Sequence, residues 1–126
     1  MPYPETTPQP GEIYRVNLDP VVGSEQGRRR PVVVVSPEVI QGTLPIVVIA
    51  PITSKIKGRG NPISPILSAG EPLPQESAVL TFQVRTLDQT RLEKYLGSLT
   101  DDQMGAVRRG LAVSFGLVGP SAPASS

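Results

Sequence analysis

The run PVVVVS at residues 31–36 decides the fold class of this 126-residue chain. A second run, IVVIAPI at residues 46–52, has the same character, and proline or glycine fences both runs. Unbroken β-branched runs of this length are typical of strands that are covered on both faces. Residues 12–18 (EIYRVNL) and residues 77–87 (SAVLTFQVRTL) instead alternate polar and apolar side chains, which predicts half-buried strands. The chain is therefore expected to be mainly β.

The helical signal lies near the C-terminal end. Residues 100–103 (TDDQ) fit a capping box, in which the threonine hydroxyl and the glutamine side chain satisfy free amides of the first turn. An apolar face at helical spacing then follows, formed by Met104, Val107, Leu111, Phe115 and Val118. We also expect loops and short edge strands over residues 54–75, and a short turn from Thr90 to Tyr95 that Gly97 stops.

Together these patterns predict a small, strongly bent antiparallel sheet or barrel that is closed by a C-terminal helix, hence a mainly β fold with α. The length suits one domain, which we place at residues 11–118. Residues 1–10 hold four prolines, and residues 119–126 (GPSAPASS) carry no charge, so both ends are expected to be mobile tails.

Composition excludes several kinds of active site. The chain has no cysteine and no histidine. Disulfides, thiolate nucleophiles, serine–histidine triads and metal sites built on either residue are therefore excluded. Any catalysis near neutral pH has to use Arg, Lys, Asp, Glu, Tyr, Ser or Thr. The sequence has no apolar run long enough to span a bilayer and begins with no secretory signal, which predicts a soluble, cytoplasmic protein without a membrane partner.

The charge distribution points to an anion-binding surface. Net charge is only +1, but residues 20–62 contain six Lys and Arg side chains against two Glu. Three of those cations are consecutive, in the stretch GSEQGRRRP at residues 23–31. The planar guanidinium groups of these arginines can bind phosphate or carboxylate, which favours an anion site. The alternative is a solvated charge run at the end of a strand, and most such runs taken alone are of this kind. A local positive surface of this kind can steer a polyanion although the whole chain is near neutral.

Three segments in the right order resemble one protein family. They are GEIYRVNLDPVVGSEQGRRRPVVVVS (residues 11–36), IAPITSK (49–55) and VLTFQVRTLDQTRLEKYLGSLTDDQM (79–104). Together they resemble the MazF/PemK (Kid-like) toxins of type II toxin–antitoxin systems, over residues 11–118. The resemblance implies a compact SH3-like barrel with a C-terminal helix, and a homodimer. It also implies cleavage of single-stranded RNA, mainly mRNA, without a metal or other cofactor, and a MazE-like antitoxin whose disordered segment covers the active site.

The resemblance implies catalytic roles for Arg30 and Thr53, and the composition of the basic loop adds Glu25 as a third candidate. Arg30, directly before the proline, holds the family's catalytic arginine position, and its persistent charge suits electrostatic stabilisation of the scissile phosphate. Thr53 matches the second catalytic position; alone, it would be read as a strand end whose hydroxyl bonds its own backbone. Glu25 is the acid of the basic loop. It either accepts the 2′-OH proton or pairs with a neighbouring arginine, which would lower its pKa and make it a poorer base.

A wider set of polar side chains is assigned to RNA contacts. For Arg85 an ion pair with Asp88 is the equally acceptable alternative. The full set of RNA-binding candidates is Gln26, Arg28, Arg29, Ser54, Lys55, Lys57, Arg59, Gln83 and Arg85.

Phe82 departs from the family pattern. Some members carry an acidic residue at this place, directly before the glutamine of the third motif. A phenyl group moves no protons, so that acid/base scheme is closed here. We expect Phe82 to be part of the core, with stacking on a base as the alternative. Two other functions stay open at this point: a non-catalytic toxin that traps a protein such as DNA gyrase, and a degenerate member that only binds RNA or antitoxin.

Overall fold

The computed structural model describes residues 7–18, 29–70 and 72–119. Within these ranges the chain forms seven strands, two α-helices and two short 3₁₀ turns. The strands are β1 (Glu12–Asn17), β2 (Arg29–Val34), β3 (Ile46–Thr53), β4 (Ile66–Leu67), β5 (Ser77–Val79), β6 (Arg85–Asp88) and β7 (Leu92–Ser98). The α-helices are α1 (Glu38–Thr43) and α2 (Asp101–Ser114), and the 3₁₀ turns are Thr81–Gln83 and Gln89–Arg91. The predicted fold class, mainly β with a C-terminal helix, is confirmed.

All strand pairings are antiparallel, and β3 is the centre of the sheet. The order is β4-β5-β3-β2-β1-β7, with β6 also paired to β3. One edge of β3 pairs with β2, whereas its other edge pairs first with β6, at residues 46–49, and then with β5, at residues 52–53. Because one strand serves two pairings along the same edge, the sheet curls into a half-barrel.

Two apolar clusters cover the two faces of the curled sheet. Val33 and Ile52 belong to the first cluster, which Met104 and Val107 of α2 complete. Val32 and Val34 belong to the second cluster, on the other face. Successive valines of β2 therefore enter different cores, as period-two alternation requires. This confirms that the unbroken β-branched runs are strands with both faces covered.

Helix α2 begins as predicted. The Thr100 hydroxyl accepts from the Gln103 amide at 3.1 Å, and the Gln103 side chain accepts from the Thr100 amide at 2.8 Å. The expected apolar face is too long, however. Met104 and Val107 are buried, but Phe115 is 63% exposed and Val118 is 42% exposed, because α2 ends at Ser114.

Two predicted elements are wrong. Residues 77–87 do not form one strand, since the 3₁₀ turn at 81–83 separates β5 from β6. Thr81 turns inward there and is fully buried, which leaves Phe82 49% exposed, so the expected core position of Phe82 is also wrong. The short turn expected from Thr90 to Tyr95 is confined to Gln89–Arg91, and strand β7 occupies the rest.

The sequence patterns do not predict α1, which buried side-chain hydrogen bonds hold in place. The Gln89 amide donates to the carbonyls of Gln41 at 2.8 Å and Leu44 at 2.9 Å, at the end of this helix. The Gln41 amide donates to the Pro8 carbonyl at 3.0 Å. Pro8 is itself fully buried, so the mobile tail predicted for residues 1–10 does not include this residue. Residues 1–6 and 120–126 lie outside the described residues.

Candidate functional site

The arginines that begin β2 are sorted onto opposite faces of the sheet by strand alternation. Arg30 pairs with Val16 and Arg29 pairs with Asn17 of β1. Val16 and Val32 belong to the second cluster, so Arg30 leaves the strand on that face and Arg29 on the other. Both side chains nevertheless border the same concave surface, described below.

Thr53 and Arg30 are brought to one place by the register of β2 and β3. Val32 lies opposite Pro51, so the same register extended by two residues brings Arg30 level with Thr53 and on the same face. The Thr53 hydroxyl oxygen accepts from the Lys55 amide at 3.1 Å. Because that bond uses only a lone pair, the hydroxyl proton remains available to donate to an anion.

Among the arginines of residues 7–18, 29–70 and 72–119, Arg30 is the one that is partly buried and has no partner, whereas Arg15, Arg108 and Arg109 lack a partner but are exposed. Arg29 forms an ion pair with Glu93 at 3.0 Å, and Arg59 forms one with Glu76. The Arg91 guanidinium donates to the Asn17 carbonyl. Arg30 is half-buried, yet its side chain makes no hydrogen bond or ion pair within the described part of the chain. A guanidinium in this state is ready to take an anion from outside.

Arg85 shares the face of Arg30. Arg85 pairs with Ile49, a member of the second cluster. Its guanidinium donates to the Leu18 carbonyl at 3.2 Å, directly before segment 19–28. The alternative ion pair with Asp88 is not formed: the Asp88 carboxylate instead accepts from the amide and hydroxyl of Thr90 at 2.9 and 2.8 Å. These bonds lower the pKa of Asp88, the backbone bond most. We call Arg30, Thr53 and Arg85 the Arg30 face.

A concave surface of about 520 Å³ lies beside β2 and β3, and we call it the Arg15 cleft. Its floor includes Ile52, Leu73 and Leu96, all of which belong to or pack against the cluster beneath α2. Arg30 and Thr53 border it as well, from the strands that form its wall. The lining residues are Arg15, Arg29, Arg30, Pro31, Ile52, Thr53, Ser54, Lys55, Pro72, Leu73, Pro74, Gln75, Ser77 and Leu96.

The structure divides the predicted RNA-binding residues into several groups. Arg29, Ser54 and Lys55 line the Arg15 cleft. Lys57, Arg59 and Gln83 are exposed but do not line it. Arg59 is engaged by Glu76, and this hydrogen bond lowers the pKa of the Glu76 carboxyl. Glu25, Gln26 and Arg28 lie outside the described residues.

Sequence reasoning missed three polar residues of the cleft, namely Arg15, Gln75 and Ser77. Arg15 carried a usable signal, because it is the basic side chain in an otherwise apolar-rich alternating strand, opposite Pro31. Gln75 and Ser77 had none, since they lie in a loop and at a strand start that only the tertiary structure brings to this place. Among residues 7–18, 29–70 and 72–119, no group of three or more acidic side chains is placed to hold a metal ion. None of the helices in those ranges is long and apolar enough to cross a membrane.

The chain is similar to known proteins over most of its length. The model of a family described as "PemK-like, MazF-like toxin of type II toxin-antitoxin system" matches residues 9–115. Endoribonuclease MazF of Staphylococcus saprophyticus is 36% identical over 108 residues, covering 85% of this chain and 90% of that protein. The crystal structure of MazE–MazF from Deinococcus radiodurans matches with a TM-score of 0.74 at 30% identity, covering 90% of this chain and 100% of that chain. A mycobacterial endoribonuclease in complex with its cognate antitoxin has a TM-score of 0.69 at 25% identity, covering 91% of this chain and 99% of that one.

Proposed function

This chain belongs to the PemK-like, MazF-like toxins of type II toxin–antitoxin systems and is an endoribonuclease of that family, and from this premise we propose how its residues cleave RNA. The substrate is single-stranded RNA, mainly mRNA. The ribose 2′-OH attacks the adjacent phosphorus, the bond to the 5′-oxygen breaks, and the products carry a 2′,3′-cyclic phosphate and a 5′-OH. DNA is spared because it lacks this nucleophile. No metal or cofactor takes part in this scheme.

Arg30 stabilises the charge that develops on the phosphate, and its unpartnered state is the observation that carries this proposal. It is half-buried and has neither a carboxylate nor a carbonyl partner within the described ranges. Its fork of N–H donors can grip two non-bridging oxygens, and its charge persists at any relevant pH. Donors aimed in advance at the developing charge are a large source of catalysis.

Thr53 assists from the neighbouring strand. Its oxygen accepts from the Lys55 amide at 3.1 Å, and the hydroxyl proton is left to donate to an outside acceptor. Level with Arg30 by register, it donates to the same phosphate. We assign Arg30 and Thr53 as the catalytic pair of the Arg30 face.

Few side chains of this chain can transfer protons in the cleavage reaction. Glu25, in the segment between β1 and β2, is the candidate for taking the 2′-OH proton. The exposed Phe82 stands where some members of the family have an acid, and a phenyl group moves no protons. Arg85 holds the RNA backbone beside Leu18, and the remaining contacts fall to Gln26, Arg28, Arg29, Ser54, Lys55, Lys57, Arg59 and Gln83.

The partners follow from the family. MazE–MazF structures and a mycobacterial toxin–antitoxin complex are among the structural relatives. We propose that a cognate antitoxin of the MazE-like kind inhibits this toxin with an extended segment, that the toxin works as a homodimer, and that it acts on RNA in the cytoplasm.

The test is cleavage of a long unstructured RNA in the presence of EDTA, with both ends of the products mapped. The wild-type protein is expected to leave cyclic phosphate and 5′-OH ends. Arg30→Ala is expected to lower the rate by at least about 100-fold, the loss typical of removing one donor to a developing oxyanion. Arg30→Lys keeps the charge but loses the fork, so it should recover only part of the rate.

Arg108→Ala is the matched control, since it removes one exposed guanidinium from α2, away from both surfaces. It should cleave like the wild type. Intact RNA with several long substrates and a folded wild-type protein would contradict the cleavage chemistry. If Arg30→Ala remained toxic to cells, the toxin would act by trapping a protein such as DNA gyrase, as other toxins of this architecture do.

A further inference from the structure

The connection between β3 and β4 has to return along the whole length of β5. Strands β3 and β4 lie on the two sides of β5, and both are antiparallel to it. They therefore run in the same direction, so the chain that joins them travels back past β5 before β4 begins. We call residues 54–62, which belong to no strand or helix, the return loop. Contacts outside the sheet therefore decide how firmly this loop is held.

The return loop is fixed at its two ends and exposed between them. At the first end, the Lys55 amide donates to the Thr53 hydroxyl at 3.1 Å. Just beyond the other end, the Ile63 carbonyl accepts from the Thr81 amide at 3.2 Å and from its hydroxyl at 2.9 Å. Residues 57–60 are all exposed. The middle of the loop therefore has little apolar burial to keep it in place.

An ion pair between Arg59 and Glu76 holds the middle of the return loop. Arg59 lies between Gly58 and Gly60, whose φ values of +65° and +86° form a turn that glycine adopts without strain. The guanidinium donates to both oxygens of the Glu76 carboxylate, with Nη1 3.4 Å from Oε2 and Nη2 bonded to Oε1. In the part of the chain that the structure describes, this is the one hydrogen-bonded contact that residues 56–60 make outside the loop.

This ion pair connects two segments that line the Arg15 cleft. Ser54 and Lys55, at the start of the return loop, are lining residues of the cleft. Gln75 and Ser77, the two neighbours of Glu76 in sequence, are lining residues as well. The pair itself does not line the cleft, but it limits how far these two segments can move apart.

The charge of Arg59 taken alone predicts a direct contact with RNA, whereas the structure points to a different task. Its guanidinium is engaged by Glu76, and this hydrogen bond lowers the pKa of the Glu76 carboxyl, which keeps it ionised. The two roles make opposite demands on Glu76. If Arg59 contacts RNA, Glu76 competes with the RNA and weakens its binding. If the pair positions the loop, Glu76 is needed for binding.

We propose that Arg59 and Glu76 are positioning residues, which hold the return loop to the start of β5 and thereby place Lys55 for RNA binding. The inference rests on the proposed function, because RNA is the ligand whose binding the pair supports. Arg59 then acts on RNA through Glu76 rather than by direct contact. Arg30 and Thr53 lie on β2 and β3, so the chemical step does not depend on the pair.

Limited digestion by trypsin measures the hold on the loop without any RNA. Glu76→Gln neither adds nor removes a tryptic bond, and it is expected to speed the first cut after Lys57 by about three- to fivefold, the limit set by the worth of an exposed ion pair. The matched control is Glu38→Gln, which removes one exposed carboxylate from α1, at the opposite end of β2 and β3 from Arg30 and Thr53. It should be digested like the wild type. Equal rates for wild type and Glu76→Gln would overturn the inference.

Exchange of the two charges tests whether the pairing itself matters. Arg59→Glu places two carboxylates together and loosens the loop, whereas the double variant Arg59→Glu/Glu76→Arg restores a pair of opposite charge. These two proteins have the same residues around Lys57, so their rates of cutting there can be compared directly. The double variant should be cut about three- to fivefold more slowly than Arg59→Glu. A double variant that is cut as fast as Arg59→Glu would contradict the proposal.

RNA binding then separates positioning from direct contact. The probe is a short RNA with 2′-O-methyl groups, which cannot be cleaved, and its binding to the full chain is followed by anisotropy. Glu76→Gln is expected to weaken binding about threefold although it removes a negative charge, and to raise KM for a cleavable RNA similarly while kcat changes less than about twofold. Glu38→Gln should change neither by more than about twofold. Circular dichroism of each variant confirms that it is folded.

The opposite sign refutes the inference. Tighter or unchanged binding of the probe by Glu76→Gln would mean that Arg59 contacts RNA directly or has no role in its binding. The digestion rates do not depend on cleavage of RNA. A wild-type protein that leaves RNA intact therefore contradicts only the proposed function, whereas active protein with equal digestion rates contradicts only this inference.

Discussion

Replacing Gly110 with alanine tests the closest contact between α2 and the rest of the fold. Gly110 is buried in the middle of α2. A Cβ there would lie 2.8 Å from the Pro62 carbonyl oxygen and 3.0 Å from both Cγ2 and Oγ1 of Thr81. Thr81 has little freedom to move, because its hydroxyl donates to the Ile63 carbonyl at 2.9 Å and lies 3.0 Å from the Ser114 hydroxyl. The added methyl group must therefore displace backbone or break a buried hydrogen bond.

Two opposing effects set the magnitude. Alanine is a better helix former than glycine by about 1 kcal/mol. Overpacking a well-packed site costs about 1–3 kcal/mol. At Gly110 the cost should lie toward the upper end, because the added Cβ would meet a backbone oxygen and a side chain that is held by hydrogen bonds. We therefore expect Gly110→Ala to lower the free energy of unfolding by about 1–2 kcal/mol.

Gly105 provides the matched control in the same helix. A Cβ at Gly105 would have nothing within 4 Å. Only the helix propensity acts there, so Gly105→Ala should raise the free energy of unfolding by about 0.5–1 kcal/mol. The same substitution, five positions apart, is thus expected to have opposite signs.

Urea denaturation followed by circular dichroism measures both variants against the wild type, with the midpoint and slope fitted for each. The decisive quantity is the difference in the free energy of unfolding between Gly110→Ala and Gly105→Ala. If Gly110→Ala proved as stable as Gly105→Ala, α2 would not approach the 3₁₀ turn at Thr81–Gln83 as closely as the structure has it. The reasoning from packing would then be refuted.

Three further predictions concern the surface and the first turn of α2. Glu93→Gln removes the ion-pair partner of Arg29. Because this pair is exposed, the free energy of unfolding measured in urea should fall by no more than about 1 kcal/mol, and a larger loss would contradict the solvated character of the pair. Thr100→Ala removes the helix cap and should lower stability by about 1 kcal/mol, with a fall in Tm of about 3–5 °C in calorimetry, whereas Thr100→Ser should retain most of it. Asp88 has a lowered pKa in the folded state because it accepts from Thr90, so its contribution to stability is present above its unfolded pKa of about 3.9 and is lost as pH falls through the folded value. The stability gap between wild type and Asp88→Ala in urea should therefore narrow as pH falls from about 5 to 3, and a gap that stays constant would contradict this assignment.

The elements that the sequence predicts correctly are those with a local cause. The valine run of β2 and the apolar run of β3 need no partner to be recognised as strands. The capping box at Thr100 closes within four residues, and the structure reproduces both of its hydrogen bonds. The three ordered motifs also identify the family, because each is contiguous in sequence. The assignment of Arg30 and Thr53 to catalysis comes from those motifs and stays a prediction.

The elements that the sequence misses depend on distant contacts. The period-two pattern of residues 77–87 predicts one strand, but Thr81 bonds to Ile63 and α2 instead, and this turns Phe82 outward. In the same way, glycine at position 110 lowers the intrinsic helix propensity of α2, but the approach of Pro62 and Thr81 leaves no room for a Cβ there.

The sequence by itself determined a curled β fold with a capped C-terminal helix, a positive surface around three arginines, and the toxin family. Only the tertiary structure decided which residues surround each arginine side chain. Arg29 and Arg30 are identical in kind and adjacent in sequence, but alternation along β2 sends them to opposite faces. The register with β3 brings Arg30 level with Thr53, and both of them border, together with Arg29, a cleft that is completed by β7 and a distant loop. Side-chain direction is local, whereas what a side chain faces is set by strands brought together from elsewhere in the chain.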